Sequence, residues 1–372
     1  MRKSSLILLF CAISIICANG EALTKFTSNG FTYYVALENT DPLTRIIYDE
    51  LKPIVTAEPI LPQEGELVDV VVEPKVTYAS IEFHVRTVTI KDNEDCLRSL
   101  VLKPGITEIH GTNNCKNLER IELPNTMVRI SGLNNLPSLE VLEIPEQIAI
   151  DGLKVNDESL TNIGVKTLTL PENMWFCHSS LKGLGNLVEL NFSNSIGTGE
   201  NCIGGMPALK TLRLPREQGF IGAGCFGIMG IEELYMPESE DLIISSYAFY
   251  ALPYLRTIYC PSSVPPEIVD IFEYPGAEFG SRPYDTKAVD KKKCRLLVPP
   301  GCVDAYRNSI GWGGFSNIEE YDFDGAEKIL TDNNTEDAAT VYYDLNGRVV
   351  ENPTSGLYIA VTGSKVSKQI VP

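Results

Sequence analysis

The chain has 372 residues, enough for two or more ordinary domains or for one long solenoid. Its formal net charge is −18, with 31 Lys and Arg against 49 Asp and Glu, which argues against non-specific binding to nucleic acid or to anionic membranes. The excess acid reads either as solubility or as a patch for a cationic partner.

Residues 1–20 have the layout of a signal peptide. Arg2 and Lys3 give a positive start, Leu6 to Cys17 an apolar run, and Ala18 to Ala22 the small residues of a cleavage region. The run is too short to span a bilayer comfortably, and no later stretch approaches about 20 apolar residues. Phe10 and Ile16 precede Cys11 and Cys17 where a lipidation signal needs a small residue. The expectation is a chain exported to the cell surface or beyond, with no transmembrane span once cleaved. Cys96, Cys115, Cys177, Cys202, Cys225, Cys260, Cys294 and Cys302 then remain. They form no C-x-x-C pairs, so no zinc site is expected. They read as small apolar core residues, with a Cys294–Cys302 or Cys260–Cys294 bridge as the alternative.

Residues 21–90 alternate in strand fashion at Phe31–Val35 and Ile81–Val85, are β-branched at Val68–Val72, and are punctuated by Pro53, Pro59, Pro62 and Pro74. An open solenoid end exposes core and strand edge, so this segment is expected to be a β-rich amino-terminal cap or small domain.

From 91 to 323 one pattern dominates. Units start at Leu97, Leu118, Leu139, Val165, Leu187, Leu209, Ile231 and Leu255, at intervals of 21, 21, 26, 22, 22, 22 and 24 residues. These lengths fall in the leucine-rich-repeat range. The fourth and sixth positions are apolar throughout, as in Leu190 and Phe192 or Leu212 and Leu214, which puts both side chains on one face of a short strand. Pro124, Pro145, Pro171, Pro215, Pro237 and Pro261 follow the sixth position and end the strand, since proline has no N–H for the ladder. A second register precedes the starts, as in Gly183-Leu184-Gly185 and Gly205-Met206-Pro207, and reads as a turn or half-helix closing each coil. The expected fold is a leucine-rich repeat solenoid, with parallel strands on one face and turns or half-helices on the other.

Leu118 to Pro124, Gly224-Cys225-Phe226 and Tyr247-Ala248-Phe249 resemble the BspA-like leucine-rich repeats of bacterial exported and surface proteins. Ala-Phe is complete in one unit only, and Ser193 stands where the family has proline. The resemblance implies adhesion or host contact.

Residues 262–293 read as an insertion, with Lys291-Lys292-Lys293 solvating a turn. Leu296 to Pro299 repeats the strand ending, Val303 to Tyr306 reads as a short helix, and Trp312 and Phe315 are expected to cover the last coil within a cap at 294–323. The alternative for these aromatics is an exposed sugar platform. This stretch is similar to the last unit of the same family. Residues 324–339 read as an acid-rich linker, and 340–372 as a small β module with a hairpin turn at Asn346-Gly347. That tail resembles the sorting modules of type IX secretion, which implies export; a β module with no sorting role is the alternative.

Chemistry is hard to place. His84, His110 and His178 are far apart and form no metal motif; Cys177 beside His178 is a weak nucleophile candidate, since adjacent side chains usually point apart. No nucleophile elbow or phosphate loop occurs, and Ile196 to Glu200 lies in a repeat arm. No enzyme activity, cofactor or metal is therefore expected. The position between the fourth and sixth points outward and runs Val101, Glu122, Glu143, Thr169, Asn191, Arg213, Tyr235, Tyr259 and Leu297. Lys210, Glu232 and Arg256, at the second position, are spaced to form a charge ladder. A solvated sheet face is one reading. The other is a binding strip at Arg213, Tyr235 and Tyr259 for a protein or glycan partner, because Tyr and Arg dominate contact hot spots. A structural spacer, or a hydrolase with a site in 21–90 or the insertion, are the rivals.

Overall fold

The computed structural model describes residues 25–36, 48–49, 52–62, 65–91, 94–111, 113–146, 152–193, 195–245, 247–269, 279–280, 288–323, 341–343, 349–350, 356–362 and 365–371. The expected signal peptide at 1–20, the expected linker at 324–339 and the expected turn at Asn346-Gly347 lie outside them. Two compact units divide the chain: Met1–Val298 with Cys302–Glu319, and Pro299–Gly301 with Glu320–Pro372.

The first unit is a parallel β-solenoid with three sides. Among the described residues, its front side stacks Val68–Val72, Leu97–Leu102, Arg120–Glu122, Val141–Glu143, Thr167–Leu170, Glu189–Phe192, Thr211–Arg213, Glu233–Tyr235, Thr257–Tyr259 and Arg295–Val298, with Asn317–Glu320 beside the last. Register follows the repeat. Leu212 pairs with Leu234, Leu234 with Ile258, and Ile258 with Leu296, and all four are fully buried. Each inward side chain thus sits on its copy one coil away, and burial of apolar surface along this column is the main stabilising term.

On the other sides the expected turns or half-helices are short strands joined by tight turns. Glu108–Gly111, Arg129–Gly132, Leu153–Val155, Met174–Phe176 and Gly197–Thr198 form a second parallel column, continued by Phe220–Ile221, Ile243–Ser245 and Glu267–Val269. Leu181–Lys182, Ile203–Met206 and Phe226–Met229 form a third side. The corner on that side is turned with left-handed residues, one of them in register in each coil: Asn114, Asn135 and Asn162, with φ of 67°, 54° and 54°, then Gly183 and Gly205, with 73° and 69°. One left-handed residue turns the chain sharply where a half-helix would need several, and Asn and Gly adopt that conformation most readily.

The insertion is partly regular, because Glu267–Val269 pairs in parallel with Ile243–Ser245 as the next coil. At the amino end, Ile81–Ile90 leads into the second column, Lys52–Pro59 pairs with it in parallel, and Phe31–Val35 and Lys25–Ser28 add antiparallel strands. Reversing direction there keeps the parallel edge from being open. Phe26 stacks on Tyr78 at 4.4 Å and meets Phe83 at 4.9 Å over the end of the core.

At the other end the helix Val303–Asn308 carries Tyr306 inward. Trp312 is fully buried and Phe315 nearly so, and Trp312 Nε1 donates to the carbonyl of Pro266 at 2.8 Å. These aromatics cover the last coil, and the platform alternative is ruled out because the Trp312 ring has no face to offer. A row of rings, Phe226, Phe249, Phe279 and Trp312, runs down the core at 4.9–5.7 Å. The eight described cysteines are unbridged; six are buried and Cys177 and Cys302 are half-buried. Burial pushes the Cys260 and Cys294 thiols up to about 12, as expected of core filler.

In the second unit, Val349–Val350, Val341–Tyr343, Gly356–Thr362 and Lys365–Val371 form a four-stranded antiparallel sheet in that order.

Candidate binding surface

The front register brings three of the outward residues singled out above into one line. Arg213 pairs with Tyr235, and Tyr235 with Tyr259. The guanidinium carbon of Arg213 lies 3.5 Å from the centre of the Tyr235 ring. The Tyr235 and Tyr259 rings are 4.2 Å apart and 3° from parallel. Strand spacing in a parallel sheet is about 4.8 Å, so stacking of successive rings needs only a slight lean. Cation–π and ring contacts hold the three side chains as one stack.

The stack determines what a partner would meet. Both faces of Tyr235 are covered, one by Arg213 and one by Tyr259, so Tyr235 offers its ring edge and hydroxyl. That hydroxyl donates to Glu233 Oε2 at 3.2 Å. Burial, then the hydrogen bond with Tyr259, pushes the Tyr235 phenol up to about 12, so it stays neutral at any physiological pH.

The second-position ladder is present alongside. Glu232 bridges Lys210 at 3.5 Å and Arg256 at 4.0 Å. Lys210 Nζ also sits 5.7 Å from the ring centre of Tyr254, which is exposed. Toward the amino end, the acids that lead the outward column are already engaged. Arg120 donates to Glu122 at 2.7 Å and to Glu143 at 2.6 Å. Arg98 forks onto both oxygens of Asp69, and Ser99 donates to it at 2.7 Å. The Arg98 contacts, foremost, hold the Asp69 carboxyl down at about 2. Glu122, Glu143 and Asp69 are thus held in ion pairs on this half of the face. At the far end Leu297 is 2 % exposed, so the last position of the outward column is not on the surface.

The histidines are not brought together. His84 is buried, His178 is exposed, and His110 Nε2 lies 3.1 Å from Glu108. Cys177 is half-buried and its carbonyl accepts from Ser180. Among the described residues, no three His, Cys, Asp or Glu side chains are grouped to hold a metal ion, and no helix is long and apolar enough to cross a membrane. What the front face can do is make contact over a rigid, pre-stacked strip. Sequence reading found the column but not the stack, since only the register and the lean of the rings decide it.

Residues 153–273 match six copies of the family described as BspA type leucine rich repeat region. Among solved structures, the chain is similar to a leucine rich cell surface protein of Faecalibacterium prausnitzii A2-165, at 14% identity and TM-score 0.42, covering 82% of this chain and 96% of that one. A leucine-rich repeat protein from Bacteroides ovatus ATCC 8483 is similar at 14% identity and TM-score 0.44, covering 80% of this chain and 76% of that one. The pneumococcal vaccine antigen PcpA is similar at 12% identity and TM-score 0.30, covering 80% of this chain and 98% of that one. No curated protein matches the sequence. Repeat length, inward leucines and front-strand register agree with the family match, so residues 153–273 are a BspA type leucine rich repeat region.

Proposed function

We propose that this chain is an exported or cell-surface recognition protein without catalytic activity, and that it binds a protein or glycan partner along Arg213, Tyr235 and Tyr259. The observation that carries the reading is the stack itself: a guanidinium 3.5 Å over one tyrosine and a second tyrosine 4.2 Å beneath it. Ordering long side chains on binding costs about 0.5–1.5 kcal/mol each, and a stack formed in advance avoids most of that cost. Tyr and Arg are also the residue types that concentrate contact energy. The apolar run from Leu6 to Cys17 behind Arg2 and Lys3 supports export.

A spacer role is the second reading, and one observation favours it: the faces of Tyr235 and the charges of Lys210, Glu232 and Arg256 are satisfied within the solenoid. The double substitution Tyr235→Ala and Tyr259→Ala separates the two. For recognition, affinity for a partner bound by the wild type drops at least about tenfold, read by biolayer interferometry, while the circular dichroism spectrum is unchanged. Unchanged affinity would remove the strip from the binding surface and leave the spacer reading.

A further inference from the structure

The third side of the solenoid carries a surface unrelated to the front strip. At its left-handed corner the first three coils have asparagine, and their amides join head to tail. Asn135 Nδ2 donates to Asn114 Oδ1 at 2.8 Å, and Asn162 Nδ2 to Asn135 Oδ1 at 2.9 Å. The next two coils have glycine there, so the ladder stops. Asn162 Oδ1 overhangs Gly183 so closely that a Cβ on that glycine would lie 2.1 Å from it. Gly205 keeps the floor bare in the following coil. The Tyr250 ring then lies flat over Gly227, three of its atoms within 2.0–2.5 Å of where a Cβ would stand.

The outcome is an open trough of about 470 Å³, lined by Asn135, Thr161, Asn162, Ser179, Lys182 and Tyr250 around the glycine floor. It runs across the coils from Asn135 to Tyr250, roughly 20 Å at about 4.8 Å per strand. None of Arg213, Tyr235 or Tyr259 lines it.

The lining chemistry selects among ligands. Amides and hydroxyls each donate and accept, which is the pattern that sugar hydroxyls present in return. Tyr250 at one end is an aromatic side chain, the type that packs against the C–H side of a pyranose. Charge in the lining is balanced, with one cation, Lys182, and one anion, Glu158, so neither a phosphate chain nor a uronate is favoured. An added peptide strand would need an unpaired edge, but Leu181–Lys182, Ile203–Met206 and Phe226–Met229 are paired with one another here. We infer that this trough binds a short, linear, neutral oligosaccharide, with the asparagine ladder reading its hydroxyls and Tyr250 stacking on one ring.

The test is isothermal titration calorimetry of the full chain against short glucans, xylans, mannans and galactans, with a uronate oligomer alongside. At least one neutral oligomer binds, the uronate binds no better, and Asn162→Ala and Tyr250→Ala each weaken binding by about tenfold. The Tyr235→Ala, Tyr259→Ala double variant binds the sugar like the wild type, so failure of the front strip and failure of the trough are read separately. Should Tyr250→Ala lose its fold, Asn162→Asp decides, because it keeps the shape and removes the amide donors. No binding by any neutral oligomer, a preference for the uronate, or full binding by the asparagine variants would overturn the inference.

Discussion

At the scale of single residues, the repeat pattern placed Leu190, Leu212 and Leu234 in the core and Arg213, Tyr235 and Tyr259 in one outward line, because a two-residue period in paired strands leaves no other choice. The Lys210, Glu232 and Arg256 ladder followed from the same arithmetic. What the pattern could not show is contact between side chains whose spacing is irregular. Asn135 and Asn162 are 27 residues apart, while Asn114 and Asn135 are 21 apart, and they share a corner only because the longer third coil spends its extra residues elsewhere. Likewise Asp69 lies upstream of the first recognised unit, yet it meets Arg98 and Ser99 across paired strands. Asp69 has a lowered pKa, so its contribution to stability is present above the ordinary carboxylate range and lost as pH falls toward about 2. A carboxyl carbon NMR titration should find Asp69 near that value, and Arg98→Ala should return it toward the ordinary range. An unmoved value in that variant would show that Arg98 is not the cause.

At the scale of elements, the front strands were legible as strands and the other two sides were not. Their segments are two to four residues long and carry no sustained alternation, so periodicity had nothing to grip. Glycine and asparagine before each unit marked the corners correctly as turns. Of the expected turns or half-helices, the chain takes the turns, which left-handed residues make. The end pieces show the opposite case. Trp312 and Phe315 are apolar and large, and a solenoid end is the one place in this chain that must be covered by side chains rather than by another coil. Replacing Trp312 with Ala removes a fully buried ring, its tilted contact with Phe279 and its hydrogen bond to Pro266. We expect a loss of about 3–5 kcal/mol in urea unfolding. A loss below about 1 kcal/mol would mean that the cap does not hold the last coil.

At the scale of the whole molecule, the first unit is a rod of stacked coils closed by antiparallel strands at one end and by aromatic side chains at the other. Such an array spreads surface along its length instead of folding it into one deep cleft, which suits recognition by contact. Its two candidate surfaces differ in chemistry. The front strip is cationic and aromatic and pre-stacked, while the third-side trough is neutral, amide-lined and floored by glycine. A fold of this kind hosts many functions, so the assignment rests on these surfaces and not on the repeat. Recognition at the cell surface is open to test with an array of extracellular proteins and glycans probed with the purified chain. At least one partner should give a signal that is lost in the Tyr235→Ala, Tyr259→Ala variant. An array without signal, or signals that all survive that double substitution, would contradict it.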